Sequence, residues 1–241
     1  MPPDFTGKVA LVTGVGRVGQ VGHAIAIAFG RAGARLVLAD VNADALTARV
    51  AEFTAQGLTA RGSAGNLTTV EAARAAVDVA RDAFGGLDAV INVAGGLLNY
   101  GPALDIRLDA FDRELAVNLK TTWCVSQAAL PALLERGGGA IVNFASVAVL
   151  KPQAQMAPYI AAKSAVAGLT RALAFEFRDR GVRVNAVAPG TLRTADNVAQ
   201  ISDPGVRWVE LDDLVRAVLY LASDDAKAVS GTVLPVAGGE A

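Results

Sequence analysis

The sequence predicts an α/β fold: a doubly wound parallel sheet of about seven strands with helices on both faces, built as a single domain over residues 1–241. Three observations carry this. Short runs rich in β-branched residues alternate with longer segments of helical periodicity. Those runs are apolar on both faces, as strands covered by helices on each side must be. No Pro/Gly/Ser linker and no internal repeat divides the 241 residues, a length that one α/β unit commonly reaches.

The elements follow in order. Residues 8–13, KVALVT, predict the first strand. A glycine-rich loop leads to a helix over 22–32, apolar at Ala24, Ile25, Ala28, Phe29 and Ala32 and ended by Gly33. Then come a strand at 35–39 (RLVLA), a helix at 43–56, a weaker strand at 59–64 (TARGSA) and a helix at 68–84. DAVINV at 88–93 is the next strand, followed by a long helical segment at 109–135. AIVNFA at 140–145, a helix at 157–180, VRVNAV at 182–187, a helix at 211–223 and TVLPV at 232–236 complete the pattern. In open sheets of this kind ligands bind beyond the C-terminal strand ends, so the residues that follow each strand are candidate site residues.

Composition narrows the function. With a net charge of −1, a pI near 5.9 and no run of like charge, the chain has no electrostatic footprint for nucleic acid or an anionic membrane. A hydrophobic content of 53% supports a sizeable core. The one cysteine, Cys124, permits no intrachain disulfide and is expected as a small buried hydrophobe, so a cytoplasmic location is the expectation. One Cys and one His, His23, do not make a zinc site, and no metal is expected. The polar start, MPPDFTGK, is not expected to act as a signal peptide or anchor.

The first loop holds Gly14, Gly16, Gly19 and Gly22. Gly14-x-Gly16-x-x-Gly19 is a literal G-x-G-x-x-G between strand and helix. Backbone N–H groups of such a loop, with the helix N-terminus, form an anion site; a plain tight turn is the competing reading. An acid at a strand end about 20 residues on would take ribose hydroxyls. Asp40 fits, with a turn or helix cap as its alternative. YIAAK places Tyr159 and Lys163 four apart on one helix face. A phenol of pKa about 10 is a poor base at neutral pH. A neighbouring ammonium favours the phenolate and lowers that value toward the range useful for proton transfer. Ser146 follows the strand at 140–145, thirteen residues before Tyr159, and Asn118 lies in the segment 109–135.

These residues belong to an ordered set: VALVTG at 9–14, NVAG at 92–95, AVN at 116–118, IVNFAS at 141–146, YIAAK at 159–163, VRVNAVAPG at 182–190 and LRT at 192–194. The set resembles the short-chain dehydrogenase/reductase family over nearly the whole chain. The resemblance implies a Rossmann-like sheet and an oxidoreductase that interconverts a carbonyl and an alcohol. Its cofactor would be NAD, with NADP the alternative if Arg17 reaches a 2′-phosphate. It implies a catalytic set in which Tyr159 is the acid/base and Ser146 binds the substrate oxygen. Lys163 would tune Tyr159 and hold the nicotinamide ribose, and Asn118 would anchor a relay water. Cofactor contacts are implied for Gly14, Gly16, Arg17, Gly19, Gly22, Asp40, Asn66 and Leu67, for Asn92, Ala94 and Gly95, and for Pro189, Gly190, Leu192 and Thr194. A small-molecule substrate and a homotetramer paired through 109–135 and 157–180 are implied as well.

Departures from the pattern are part of the reading. The loop from Gly14 to Gly22 is two residues longer than the family's T-G-x-x-x-G-x-G, with Gln20 in the middle glycine's place. Gly14 and Gly22 are expected as its fixed ends. A short substrate lid is expected at about 195–210. The C-terminal third is similar to a dihydropteridine reductase-like branch, which is one alternative; a non-catalytic dinucleotide sensor is the other. His23 is expected as a partly exposed residue opening the first helix. Trp208 is expected either as lid packing or as a platform for substrate.

Overall fold

In the computed structural model, which describes residues 3–239, each apolar run becomes a strand. The strands are β1 Val9–Thr13, β2 Arg35–Asp40, β3 Ala60–Ala64, β4 Ala89–Asn92, β5 Gly139–Phe144, β6 Val182–Pro189 and β7 Val233–Val236. They form one parallel sheet in the order β3-β2-β1-β4-β5-β6-β7. The strand order reverses between β1 and β4, which opens a crevice above their C-terminal ends. Residues 1–2 and 240–241, part of the span expected as one domain, lie outside the described residues.

The helices are α1 Val21–Arg31, α2 Ala43–Ala55, α3 Val70–Phe84, α4 Leu108–Leu115, α5 Thr121–Glu135, α6 Ala157–Phe177, α7 Ala195–Gln200 and α8 Leu211–Ala222. Alternation along β1 assigns the two faces. Ala10 and Val12 pack with Phe29 of α1, Phe53 of α2 and Leu214 of α8. Val9 and Leu11 pack with Val77 of α3, Leu133 of α5 and Phe177 of α6. Burying one such side chain contributes on the order of 2 kcal/mol, so this two-sided core holds the strand ends rigidly in place.

Two predicted elements differ from the structure. The helical segment 109–135 is not continuous: α4 and α5 are joined by a wide π-type turn, Ala116–Lys120. At this turn Thr122 Oγ1 donates back to the Asn118 carbonyl at 3.0 Å, and the Asn118 amide bonds both the Glu114 carbonyl one turn back and the Gly96 carbonyl in the loop after β4. The helix predicted to 180 ends at Phe177 in a 3₁₀ turn, Arg178–Arg180, closed by Gly181 at φ +74°. Within the expected lid, α7 is one short helix, and Val209 then returns to pair with Leu192.

Candidate active site

The glycine loop leaves β1 at the point where the strand order reverses. Gly14 has φ +71°, and a Cβ there would lie 3.0 Å from the Ala94 backbone. A Cβ on Gly22 would overlap the Gly14 carbonyl oxygen. Only glycine therefore lets α1 seat against the end of β1, and the two ends read from the sequence are the fixed ones. Gly16 is tight for another reason: a Cβ there would meet the Asp40 carboxyl at 2.9–3.1 Å. Gly19, at φ +69°, faces open space and supplies only the turn.

The inserted residues are held by a side chain that the sequence reading undervalued. His23 is buried rather than partly exposed. Its Nδ1 accepts the Gly19 N–H at 3.2 Å, which fixes the proton on Nε2, and Nε2 lies 3.0 Å from Glu52 Oε1 of α2. The lengthened loop is thus pinned to two helices. Its one signal in the sequence was position, since His23 follows Gly22 directly. Arg17, at the crest of the loop, forms an ion pair with Asp196 of α7. The lid and the glycine loop therefore meet.

The N-terminus of α1 suits an anion. Gln20 gives it no side-chain cap, and its first turn carries no acid. The N–H groups there stay directed out of the helix, beside the glycine-rich loop. A dinucleotide pyrophosphate fits this cradle. At the end of β2 the Asp40 carboxylate accepts from Gly16 N at 2.8 Å and Asn42 N at 2.9 Å. Asn42, not Asp40, caps α2, through Ala45 N. Asp40 does make a local turn, and it also borders the glycine loop.

The remaining sequence-selected residues divide. Ala94 donates its N–H to Thr13 Oγ1 at 2.9 Å beside the loop. The Asn92 side chain does not turn to the cleft. It donates to Ser126 Oγ and Asn143 Oδ1 inside the sheet, at 3.0 and 2.9 Å, while its own Oδ1 is buried without a partner. Asn66 holds the turn before α3 through Thr68 N and Oγ1, and Leu67 is core. Pro189 ends β6; Gly190 packs on Ala237, Leu192 pairs with Val209, and the buried Thr194 caps α7.

The chemistry-bearing groups converge between β4, β5 and the first turns of α6. Ser146 follows β5; its Oγ accepts Ala148 N at 3.2 Å, and its hydroxyl is near enough to the Tyr159 phenol to favour the ionised form. Lys163 is buried, donates from Nζ to the Phe144 carbonyl at 2.9 Å, and sits 5.7 Å from the Tyr159 ring centre. Asn118 is fully buried; its Oδ1 accepts Gly96 N at 3.0 Å and its Nδ2 donates to Gly96 O at 2.9 Å. Gly95 separates the two: a Cβ there would press on Asn118 Oδ1 at 2.7 Å and touch Lys163 Nζ at 3.5 Å.

The expected lowering of the phenol by the ammonium is not what this arrangement produces. Burial pushes the Tyr159 phenol above its usual value, the Ser146 hydrogen bond opposes that rise, and the Glu114 carboxylate adds to it. Burial pulls Lys163 down to about 8, against the pull of Glu114. Glu114 itself was not selected from the sequence. It is buried and bonds Asn118 Nδ2 at 3.0 Å. An acid one turn before Asn118 on the same helix face was the signal available.

Fold and site together define an oxidoreductase of the doubly wound class that uses a nicotinamide dinucleotide. The chain belongs to the short-chain dehydrogenase/reductase family: the family's profile, described as short chain dehydrogenase, matches residues 8–204. It is similar to the cyclohexanol dehydrogenase of Acinetobacter sp. (strain SE19), 34% identical with 99% of this chain and 96% of that protein covered. It is similar also to the D-threitol dehydrogenase of Mycolicibacterium smegmatis, 36% identical with 97% and 92% covered. Among solved structures, a 7α-hydroxysteroid dehydrogenase in complex with NADH and 7-oxo glycochenodeoxycholic acid superposes with a TM-score of 0.90. The two are 32% identical, with 98% of this chain and 95% of that chain covered. The protein is an enzyme that interconverts alcohol and carbonyl groups.

Proposed function

We propose that the protein is an NAD(H)-dependent dehydrogenase of hydrophobic or ring secondary alcohols, with Tyr159 as acid/base. The observation that carries this reading is the meeting of Ser146, Tyr159 and Lys163 beside the strand ends that border the glycine loop. The uncapped α1 N-terminus at Gly22 holds the pyrophosphate, and Gly14, Gly16 and Gly19 shape the loop that lets it approach. Asp40 takes the adenosine ribose, and Asn66 and Leu67 lie toward adenine. Ala94, Gly95, Pro189, Gly190, Leu192 and Thr194 line the nicotinamide side, and Asn92 supports that wall from within the sheet. The bound dinucleotide supplies or accepts the hydride.

The chain's own groups handle the proton. Ser146 Oγ holds the substrate oxygen against Tyr159 Oη. In reduction the phenol gives its proton to that oxygen; in oxidation the phenolate takes it back. A phenol with a raised pKa is protonated at neutral pH, which suits it as the acid. Lys163 Nζ stabilises the phenolate and binds the nicotinamide ribose, and Asn118 keeps the Gly96 backbone beside them for a relay water.

Two arguments support the cofactor and substrate class. A carboxylate fixed at the end of β2 repels a 2′-phosphate, and Arg17 is engaged by Asp196 instead of lying free to offset it. The walls near the site include exposed Leu97, Leu98 and Leu150, with Trp208 beside Leu150 in a recess of about 550 Å³. Two of the similar proteins are named for ring alcohols. The test is initial rates for cyclohexanol, a hydroxysteroid and threitol with NAD⁺ and NADP⁺. A ring alcohol turned over with NAD⁺ at least about tenfold better in kcat/KM, about 1.4 kcal/mol, is expected. A preference for NADP⁺, or turnover of the open polyol alone, contradicts the assignment. We further propose a homotetramer acting in the cytoplasm. The exposed Leu108, Trp123 and Phe175 along α4, α5 and α6, with Leu104 in the turn before α4, support the assembly, and a buried, unbridged Cys124 is consistent with a reducing compartment.

A further inference from the structure

Glu114 is the one fully buried carboxylate in the protein's described core, and the roles above do not use it. It lies in the last turn of α4, just before the π-type turn that carries Asn118. Four N–H groups converge on it. Leu98 N lies 3.2 Å from both oxygens, Asn99 N 2.9 Å and Asn99 Nδ2 2.8 Å from Oε2, and Asn118 Nδ2 3.0 Å from Oε1. All four donors are neutral amides. Two sides of the site therefore meet in one carboxylate: Asn118 and the 96–99 loop, which walls the substrate side. Every group that faces the carboxylate is a donor and both of its oxygens accept, so the site is built for the ionised acid: a neutral amide would turn its own NH2 on an N–H group.

The charge has counterparts. The ionisable groups that feel it are Tyr159 and Lys163, both on α6, which packs against α4. The 96–99 loop presents only backbone N–H groups and the Asn99 amide to it. We propose that Glu114 is a positioning residue of this active site: its carboxylate locks Asn118 to the 96–99 loop and supplies the negative charge that offsets the buried Lys163 ammonium. The inference rests on the Tyr159 reading given above. Glu114 touches neither substrate nor cofactor; it acts through Asn118, the loop and Lys163. Its charge favours the protonated forms of both Tyr159 and Lys163, so removing it moves both titrations to lower pH.

The experiment compares wild type, Glu114→Gln, Glu114→Asp and Tyr159→Phe by pH–rate profile and by NADH affinity. Glu114→Gln is expected to bind NADH within about threefold of wild type, lose at least about tenfold in kcat/KM, and shift its kcat profile by about half a pH unit or more to lower pH. Glu114→Asp keeps the charge, so its profile stays at the wild-type position even where its rate falls. A Glu114→Gln profile that does not move, whatever its rate, overturns the charge role and leaves a structural brace. If Glu114→Gln does not fold, the uncharged Glu114→Ser decides: a profile shifted to lower pH supports the inference and one at the wild-type position overturns it. Tyr159→Phe separates this test from the reading beneath it. An active Tyr159→Phe sinks that reading, whereas an inactive one beside an unmoved Glu114→Gln sinks only the inference.

Discussion

Lys163 shows what the site asks of a single residue. An ammonium with ordinary pKa 10.5 is held where burial brings it to about 8. At about 1.4 kcal/mol per pH unit, that depression corresponds to roughly 3 kcal/mol of lost stability at neutral pH. The sign follows from proton counts. Between pH 8 and 10.5 the unfolded chain binds more protons than the folded one, so folding stability rises with pH across that window. Below it the full cost is present. Lys163→Met removes the buried charge along with its bond to the Phe144 carbonyl. It is expected to melt several degrees above wild type at pH 7, with a difference that shrinks by pH 10. A melting series that shows Lys163→Met less stable at pH 7, or a difference independent of pH, contradicts this. Tyr159 and Lys163 were legible as a pair on one helix face and Ser146 by its place after β5, whereas Asn118 was selected through the family resemblance. Their electrostatics were not legible. The phenol's pKa depends on burial, on Ser146 and on Glu114, and those distances arise from packing between segments far apart in the chain.

At the scale of elements, the strands were legible because each is apolar on both faces, and β3, the exposed edge strand with ARGSA, was weak for the same physical reason. The break between α4 and α5 was not legible, since nothing in the apolar periodicity of 109–135 registers an Asn118 side chain that bridges the helix to Gly96. The two-residue insertion was read, but its anchoring was not: the bond from Gly19 to His23 and the contact of His23 with Glu52 join a loop to two helices. That anchor has a measurable consequence. A single hydrogen bond that preorganises the loop contributes about 1 kcal/mol, so His23→Ala is expected to weaken NADH binding roughly fivefold while kcat at saturating cofactor stays within about twofold. Titration of NADH against the variant is the check; unchanged affinity shows that the loop holds its shape without the tether.

The whole molecule is a seven-stranded parallel sheet whose strand order reverses between β1 and β4, and both halves of the site gather at that reversal. The glycine loop and Asp40 come from one side, and Ser146, Tyr159 and Lys163 from the other. The apolar side chains left exposed on α4, α5 and α6 belong to the same scale, because a single sheet face does not cover them. Static light scattering at micromolar concentration is expected to give four times the 24.6 kDa chain mass. A monomer contradicts the assembly. The proposed roles make the central claim separable: the glycine loop and Asp40 carry most of the dinucleotide affinity, and Tyr159 moves the proton. Tyr159→Phe deletes one oxygen from the proton side alone. Turnover and NADH affinity measured on the same Tyr159→Phe sample test the account most directly. The account predicts a loss of at least about a thousandfold in kcat with NADH affinity within about threefold of wild type; turnover within tenfold of wild type would contradict it.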